Sequence, residues 1–436
     1  MNRTLSKDLA DKVDQTVMLQ GWLHKKRLLG GLNFITLRDR SGIAQTLIEG
    51  DELEKLRGLQ VGTVLSLTGV VISDERAPGG AELHDVKVEV LVPVVHESPI
   101  EIDKPLDHTP VNLDTLFNNR VIGLRNIQEA NIFRVQAGIK EASRQYFKTQ
   151  DFVEFNSPKL LPGATEGGAE VFKLDYFGKE ATLAQSAQFY KQIMVGVFER
   201  AYEINPTYRA ELSATTRHMT EFIHIDAEAG FVNFQELLDI VGGLLQYVSV
   251  NIWQSHKSEL ESLKSEPIKL IDKLPQMSLA KIHELYTQAT GESTIGEKDL
   301  RPDEERWICE YSKNNLDSEA IFVTEWPASE MKFYHKISED NPELAERADL
   351  LFRGVEIATI SMRENRYDVL LRQLKDIAKG DPEADGFKYY LQAFKYGLPQ
   401  HGGFGMGLER LTQKVIGLNN IKEATLFPRD INRLTP

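Results

Sequence analysis

Alternation of apolar and polar residues with a period of two marks the first hundred residues of this chain and then stops. It is clearest at residues 17–24 and at residues 86–92, where every second residue is valine. This period is typical of strands that bury one face. Beyond residue 127 the apolar residues recur with the spacing of a helix. The chain therefore cannot form one uniform fold, and we expect a small β domain followed by a larger mixed domain.

The β domain is predicted to contain five short strands separated by glycine-containing turns. The five runs are residues 17–24, 34–38, 43–48, 61–73 and 86–92. Five strands with turns of this kind suit a five-stranded OB barrel, which we place at residues 1–103. An SH3-like barrel is the alternative at this level.

The remainder divides into a connection and a second domain. Residues 104–127 contain Pro105 and Pro110 and little periodicity, which predicts a linker or hinge. Residues 128–436 mix helical stretches with strand-like runs but lack regular βαβ alternation. They predict an α+β domain with a mostly antiparallel sheet and flanking helices. No G-x-x-x-x-G-K-[ST] sequence occurs, so an ATP site here must differ from a P-loop.

Composition narrows the class of protein. The formal net charge of −14 argues against nucleic-acid binding over the whole surface, although Lys25, Lys26 and Arg27 could form a local basic face. Cys309 is the only cysteine, which excludes a disulfide framework and a cysteine-based zinc site. No apolar run reaches the roughly 18 residues of a membrane helix, and residues 1–8 lack the apolar core of a signal peptide. We therefore expect a cytoplasmic protein that does not enter a membrane.

Three charged segments in the second domain carry residues suited to ATP chemistry. The first contains Arg209, Glu211, Arg217 and His218. A hairpin would bring its two arginines together, and arginine binds phosphate through bidentate hydrogen bonds without losing its charge. Taken alone, the segment could equally hold surface arginines in local ion pairs.

The second segment pairs Asp349 with Glu356, each beside an apolar strand-like run. Two carboxylates on a buried sheet repel each other unless a cation lies between them, and oxygen ligands favour Mg²⁺. The third segment, residues 401–410, has four glycines in six positions and ends in Arg410 at the opening of a helix. Glycines let the backbone approach a flat ligand closely. Ordinary strand-end acids and a tight connection are the alternatives for these two segments.

In order and character, the three segments resemble the signature motifs of class II aminoacyl-tRNA synthetases. The OB domain followed by such a catalytic domain is the arrangement of the aspartyl, asparaginyl and lysyl subclass. Residues 165–170, 183–192 and 427–430 resemble aspartyl-tRNA synthetases, and the match covers essentially the whole chain. The large insertion of the usual bacterial form is missing, so the chain is similar to the compact archaeal type.

The resemblance implies a reaction and a set of substrates. It implies ATP-dependent attachment of L-aspartate to tRNA-Asp through an aspartyl-adenylate. Arg209 would hold the α-phosphate and Arg410 the γ-phosphate, and these two are the catalytic residues. The implied ATP-binding residues are Arg209, Glu211, Arg217, His218, Phe222, Glu356, Gly407 and Arg410. Asp349 and Glu356 would bind Mg²⁺.

The amino-acid site is carried over in the same way. Glu166 and Asp226 would bind the ammonium group of aspartate, and Gln188 would help to position it. Lys191 and Arg363 would read the side-chain carboxylate.

In the OB domain, the resemblance implies contacts with the anticodon. Phe34 would stack on one anticodon base, Gln45 would read another, and Arg27 would contact the stem loop. Relaxed archaeal-type enzymes that also charge tRNA-Asn tend to have histidine and proline at positions that correspond to His24 and Pro78. We therefore expect both tRNAs to be charged and an amidotransferase to act on the product. A surface histidine and an ordinary turn proline are the alternatives.

Family members form homodimers through their first motif. The apolar face at Ile132, Val135 and Ile139 could extend into such an interface, or it could be plain core.

Two rival functions remain open from the sequence. Asparaginyl-tRNA synthetases often have serine where Ser213 stands, and Ile360 replaces a glycine that is usual beside the aspartate site. Lys191 favours aspartate, because a neutral amide would leave its buried charge unpaired at a cost of several kcal/mol. A non-acylating paralogue that keeps the ATP fold is the other rival, and the retained arginines and anticodon domain argue against it.

Overall fold

A computed structural model describes residues 1–28, 30, 32–106, 111–163, 170–212 and 215–436. The chain divides into two units, residues 1–130 and residues 131–435, and each is described by itself.

The first unit is built around a closed barrel. Its strands are β1 (Arg3–Thr4), β2 (Thr16–Leu28), β3 (Asn33–Arg38), β4 (Ile43–Ile48), β5 (Val64–Ser73) and β6 (Ala81–Val92), and its helices are α1 (Gly50–Arg57), α2 (Leu113–Asn118) and α3 (Arg120–Gly123). Pairing runs β2-β3-β4-β6-β5 and returns to β2, so five strands close the barrel, with β1 added beside β2. Leu19, Leu37, Leu65 and Leu67 are among the residues that fill the barrel. The predicted five-stranded OB barrel is confirmed.

The segment predicted as a linker contains the two short helices α2 and α3. Leu116 of α2 packs with Ile100 and Ile102 in a small apolar cluster. Arg120 is fully buried and pairs with Glu129 at 2.5 Å. Part of this segment is therefore packed structure rather than extended chain.

The second unit is built on one large sheet with helices against it. Its strands are β7 (Val153–Glu154), β8 (Leu160–Leu161), β9 (Lys173–Tyr176), β10 (Lys179–Leu183), β11 (Arg200–Tyr208), β12 (Glu221–Gly230), β13 (Gln276–Ser278), β14 (Ala320–Thr324), β15 (Trp326–Pro327), β16 (Leu344–Ala345), β17 (Arg347–Phe352), β18 (Val355–Met362) and β19 (His401–Gly407). Its helices are α4 (Ile127–Thr149), which begins just before the boundary, α5 (Gln188–Phe198), α6 (Phe234–Ser255), α7 (Lys257–Ser262), α8 (Leu279–Thr290), α9 (Pro302–Asn315), α10 (Tyr367–Asp376), α11 (Asp385–Lys395) and α12 (Leu408–Ile416).

The sheet is mostly antiparallel, as predicted. Its strand order is β13-β14-β17-β18-β19-β12-β11-β7. Among the described strands of this sheet, only the pairs at its two edges are parallel, β13 with β14 and β11 with β7. This is the α+β arrangement expected from the absence of regular βαβ units.

One face of the sheet is covered by α4 and α6. Asn233 caps α6, because its side chain accepts from the backbone N–H of Glu236 while Glu236 accepts from that of Asn233. Ile132, Val135 and Ile139 of α4 are buried in the main core. Their apolar face is thus core, and a homodimer remains a prediction. None of the helices in the described part of the chain is long and apolar enough to span a membrane.

Candidate active site

The opposite side of the sheet carries a cavity of about 360 Å³, lined by strands β12, β18 and β19 together with α5. It contains most of the residues predicted for ATP and amino-acid binding. These are Gln188, Lys191, Arg209, Glu211, Arg217, His218, Phe222, Asp226, Glu356, Arg363, Gly407 and Arg410. Asp349 does not line the cavity itself, and Glu166 lies outside the described residues.

Strands β11 and β12 form the predicted hairpin and place Arg209 over an aromatic ring. The backbone N–H of Arg209 donates to the carbonyl of Thr220 at 2.9 Å. The Arg209 guanidinium carbon lies 5.4 Å from the ring centre of Phe222. Its Nε is buried and has no hydrogen-bond partner among the described residues. Such an unpaired donor on a fixed side chain is suited to an anion such as phosphate.

The other two predicted arginines are held at the same cavity. Arg410, in the first turn of α12, donates to the Glu356 carbonyl at 2.9 Å. Arg217 donates from one terminal nitrogen to the carboxylate of Glu305 and, at 3.3 Å, to the carbonyl of Gly354. The pairing with Glu305 was not predicted from the sequence.

Lys191 is buried at the amino-acid end of the cavity. Its ammonium group donates to Asp226 Oδ1 and to the Phe404 carbonyl, both at 2.8 Å, and lies 3.8 Å from Glu228 Oε2. Burial alone would raise the pKa of Asp226, but the ammonium charge of Lys191, together with the neighbouring ring of His224, outweighs burial and holds this pKa well below its usual value. Asp226 is therefore ionised at neutral pH.

Arg363 is fixed by a second buried carboxylate. Its Nε and one terminal nitrogen donate to the two oxygens of Glu228 at 2.7 and 3.1 Å, and its other terminal nitrogen donates to Ser361 Oγ at 2.5 Å. Sequence reasoning missed Glu228. The available signal was its position two residues after Asp226 on one strand, which puts both side chains on the same face.

Several buried polar atoms at this end of the cavity have no hydrogen-bond partner among the described residues. They include Gln188 Nε2, Asp226 Oδ2 and His224 Nδ1, the last two 3.4 Å apart. Leaving a buried polar group unsatisfied costs about 1–3 kcal/mol. Their concentration in one cavity indicates that a polar ligand completes the site.

Two glycines of β19 leave room for carboxylate side chains of the neighbouring strand β12. A Cβ at Gly403 would lie 2.0 Å from Glu228 Oε2, and a Cβ at Gly405 would lie 3.2 Å from Asp226 Oδ1. Both carboxylates therefore occupy space that a side chain on β19 would take. Gly405 and Gly407 also line the cavity, and their contact with a flat ligand stays a prediction.

Asp349 and Glu356 lie next to each other because β18 contains a bulge. Leu350 faces Ala358 and Leu351 faces Glu356, which leaves Ile357 as the extra residue. As a result Glu356 and Thr359 share a face although they are three apart, and Thr359 donates to Glu356 at 2.7 Å.

The electrostatics of this carboxylate pair fit a cation. Burial, reinforced by the negative charge of Glu356 and opposed by Arg347, raises the pKa of Asp349 to about 7. Arg347 donates to Asp349 Oδ2 at 2.8 Å, while Oδ1 has no partner among the described residues. No group of three or more metal-ligating side chains occurs in the described part of the chain. Two carboxylates suit Mg²⁺, which usually takes its remaining ligands from water and substrate phosphates.

Comparison with known proteins decides the family. The model for class II tRNA synthetases (D, K and N) matches residues 112–431, and the model for the OB-fold nucleic acid binding domain matches residues 17–96. The chain belongs to the class II tRNA synthetases. The predicted enzyme class, a ligase that joins an amino acid to tRNA with ATP, is thereby confirmed.

Relatives of this synthetase cover its full length. It is 41% identical to the aspartate–tRNA(Asp/Asn) ligase of Thermus thermophilus over 100% of both chains. It is 36% identical to the aspartate–tRNA(Asp) ligase of Pyrococcus abyssi over 96% of both. A crystal structure of asparaginyl-tRNA synthetase from Pyrococcus horikoshii with asparaginyl-adenylate superposes with a TM-score of 0.91 at 30% identity, covering 100% of both chains.

The anticodon residues predicted for the synthetase lie on one outward face of the barrel. In β3 and β4, Phe34 and Gln45 alternate with buried residues. Arg27 of β2 is the strand partner of Phe34. Gln45 Nε2 donates to Glu82 at 2.7 Å, so the glutamine is held in place.

His24 and Pro78, the predicted discrimination residues, lie on different elements of the barrel. His24 is the extra residue at a bulge between β2 and β3, and burial lowers its pKa. It is therefore neutral at physiological pH. Pro78 is exposed and opens the turn Pro78–Gly80 between β5 and β6.

Proposed function

We propose that this synthetase attaches L-aspartate to tRNA through an aspartyl-adenylate. The observation that carries the proposal is the buried network in which Lys191 and Arg363 pair with Asp226 and Glu228, in the same cavity as Arg209, whose Nε has no hydrogen-bond partner among the described residues. The network offers fixed charges of both signs to an amino acid. The arginine offers a free donor to phosphate at the other end of the same cavity.

The side chains support an in-line first step. The aspartate α-carboxylate attacks the α-phosphorus of ATP, and pyrophosphate leaves. Arg209 would stabilise the charge that develops on the α-phosphate, while Arg410 and Arg217 would hold the leaving phosphates. No general base is required because the attacking carboxylate is already ionised, so positioning and electrostatics supply the catalysis. Asp349 and Glu356 would hold Mg²⁺, which neutralises phosphate charge when bound.

The preference for aspartate over asparagine is supported by donor chemistry. Lysine and arginine side chains are hydrogen-bond donors only. Lys191 uses two of its three N–H groups and Arg363 three of its five in the contacts described above. The donors that remain match a carboxylate, which only accepts, whereas the NH₂ of asparagine would face them without an acceptor.

We further propose that both tRNA-Asp and tRNA-Asn are charged. Support comes from His24 and Pro78, and from the 41% identity to a relative named as a tRNA(Asp/Asn) ligase. The product on tRNA-Asn would be aspartyl-tRNA, which an amidotransferase would have to convert. A homodimer is proposed on the family resemblance alone.

The test is aminoacylation of purified tRNA-Asp and tRNA-Asn, each with radiolabelled aspartate and with asparagine. We expect aspartate to be charged onto both tRNAs. Charging of tRNA-Asp alone would refute the relaxed specificity. Charging of asparagine would refute the role of Lys191. This reaction is the main alternative because of the likeness to the Pyrococcus horikoshii asparaginyl-tRNA synthetase.

A further inference from the structure

Helix α9, a segment outside the three motifs, brings a carboxylate into contact with Arg217, which lines the ATP end of the cavity. Glu305, in its first turn, accepts from a terminal nitrogen of Arg217, and the two residues are 88 positions apart in sequence. Both side chains are largely buried, with 15% of Glu305 and 26% of Arg217 exposed. The same arginine nitrogen also reaches the Gly354 carbonyl.

The first turn of α9 is itself held firmly. Glu304 is fully buried and accepts from Thr294 Oγ1 at 2.7 Å, with His283 Nδ1 at 2.8 Å. Tyr286 donates to Asp303 at 2.7 Å. Glu305 therefore projects from a fixed point of the scaffold and restrains the position of Arg217, to which it is bonded.

Arg217 needs such an anchor because of where it lies. It belongs to the connection between β11 and β12, outside both strands. A free arginine side chain loses up to about 2 kcal/mol of rotamer entropy when a ligand orders it. An arginine already held at one nitrogen has lost most of that entropy before the ligand arrives.

We propose that Glu305 is a positioning residue for amino-acid activation. It holds one terminal nitrogen of Arg217, so that Nε and the other terminal nitrogen are presented to the β- and γ-phosphates that leave as pyrophosphate. Arg217 lines the same cavity as Arg410 and Glu356, the residues assigned to the leaving phosphates and to Mg²⁺. The inference rests on the proposed function, since it needs ATP in this cavity.

The experiment compares Glu305→Gln and Glu305→Ala with the wild-type chain in aspartate-dependent ATP–pyrophosphate exchange. We expect kcat/KM for ATP to fall about tenfold, the size of a hydrogen bond between charged groups. Affinity for a stable aspartyl-adenylate analogue, which lacks the β- and γ-phosphates, should not change. Glu310→Gln is the matched control, because Glu310 is exposed on the same helix and bonds only its neighbour Asn314 among the contacts described.

A double-mutant cycle with Arg217→Ala separates positioning from a general structural effect. If Glu305 acts through Arg217, its substitution should cost nothing further once the arginine is gone. An equal fall in kcat/KM for ATP and in affinity for the adenylate analogue would overturn the inference. A rise in kcat/KM for ATP would also overturn it, because Glu305 would then be competing with phosphate for Arg217. If the wild-type chain catalyses exchange and both Glu305 variants match its kcat/KM for ATP, the role of Glu305 is refuted while the proposed function stands. Absence of exchange in the wild-type chain would overturn the proposed function as well.

Discussion

Replacing Lys191 by methionine tests the central charge network of the synthetase. The substitution keeps most of the volume but removes an ammonium group that makes two hydrogen bonds of 2.8 Å. Among the described residues, Asp226, which is almost fully buried, then has only the ring of His224 as an ion-pair partner, at 3.4 Å. Removing one partner of a buried ion pair costs about 3–5 kcal/mol. We therefore expect the free energy of unfolding to fall by about 3 kcal/mol or more.

The same substitution should act selectively on one substrate. Loss of a hydrogen bond to a charged group costs about 1.5–3 kcal/mol, which corresponds to roughly a tenfold to hundredfold rise in KM for aspartate. KM for ATP should stay within about twofold, because the partners of Lys191 among the described residues are Asp226, Phe404 and Glu228, none of which is assigned to ATP. Lys159→Met is the matched control, because Lys159 pairs with buried Glu203 at 2.7 Å and does not line the cavity.

The stability loss should depend on pH. In the wild-type chain the pKa of Asp226 is lowered, so its ionised form contributes stability above the unfolded value of about 3.9 and loses it as pH falls. Without Lys191 that pKa rises, because burial is no longer offset. The difference in unfolding free energy should be largest near pH 8 and smaller near pH 5, as measured by chemical denaturation. A difference independent of pH, or an unchanged KM for aspartate, would refute this account of the network.

Three further predictions follow from individual contacts. Gly403→Ala would place a Cβ 2.0 Å from Glu228 Oε2, so we expect a loss of about 1–3 kcal/mol in denaturation together with weaker aspartate binding; normal values of both would contradict the packing. As pH falls below 7, the Mg²⁺ concentration for half-maximal exchange should rise by up to about tenfold per pH unit, because the Asp349 carboxyl, with a pKa of about 7, must release its proton to bind the ion. Asp349→Asn should abolish this pH dependence. Phe34→Ala should raise KM for tRNA by roughly tenfold, since stacking contributes about 1–3 kcal/mol per base, while leaving ATP–pyrophosphate exchange unchanged; an unaltered KM for tRNA would remove Phe34 from the anticodon site.

The barrel strands could be predicted from the sequence because their signal is local. In β3 and β4, burial alternates residue by residue in the pattern that the sequence shows. The return of β5 to β2, which closes the barrel, joins segments far apart in the chain and leaves no such signal. Helices α2 and α3, six and four residues long, are too short to show a period.

The site was predicted where the resemblance supplied residues and missed where only tertiary contacts reveal them. Glu228 meets Arg363 across 135 positions of sequence, and no local pattern indicates that pairing. Thr359 was missed because residues three apart on a regular strand face opposite sides, and only the bulge at Ile357 brings it beside Glu356. Sequence periodicity assumes regular elements, so an irregularity that builds a site is invisible to it.

The space left by Gly403 has an evolutionary consequence. Shortening Glu228 would not by itself make room for a side chain at position 403, because a Cβ there would also lie 2.3 Å from the backbone carbonyl oxygen of Ala227. A shorter residue at 228 would in addition leave the buried guanidinium of Arg363 without its carboxylate. Each of the two changes therefore meets a steric clash or leaves an unpaired charge. We expect glycine at 403 and glutamate at 228 to be retained together, because altering this part of the site would require the backbones of two neighbouring strands to move apart.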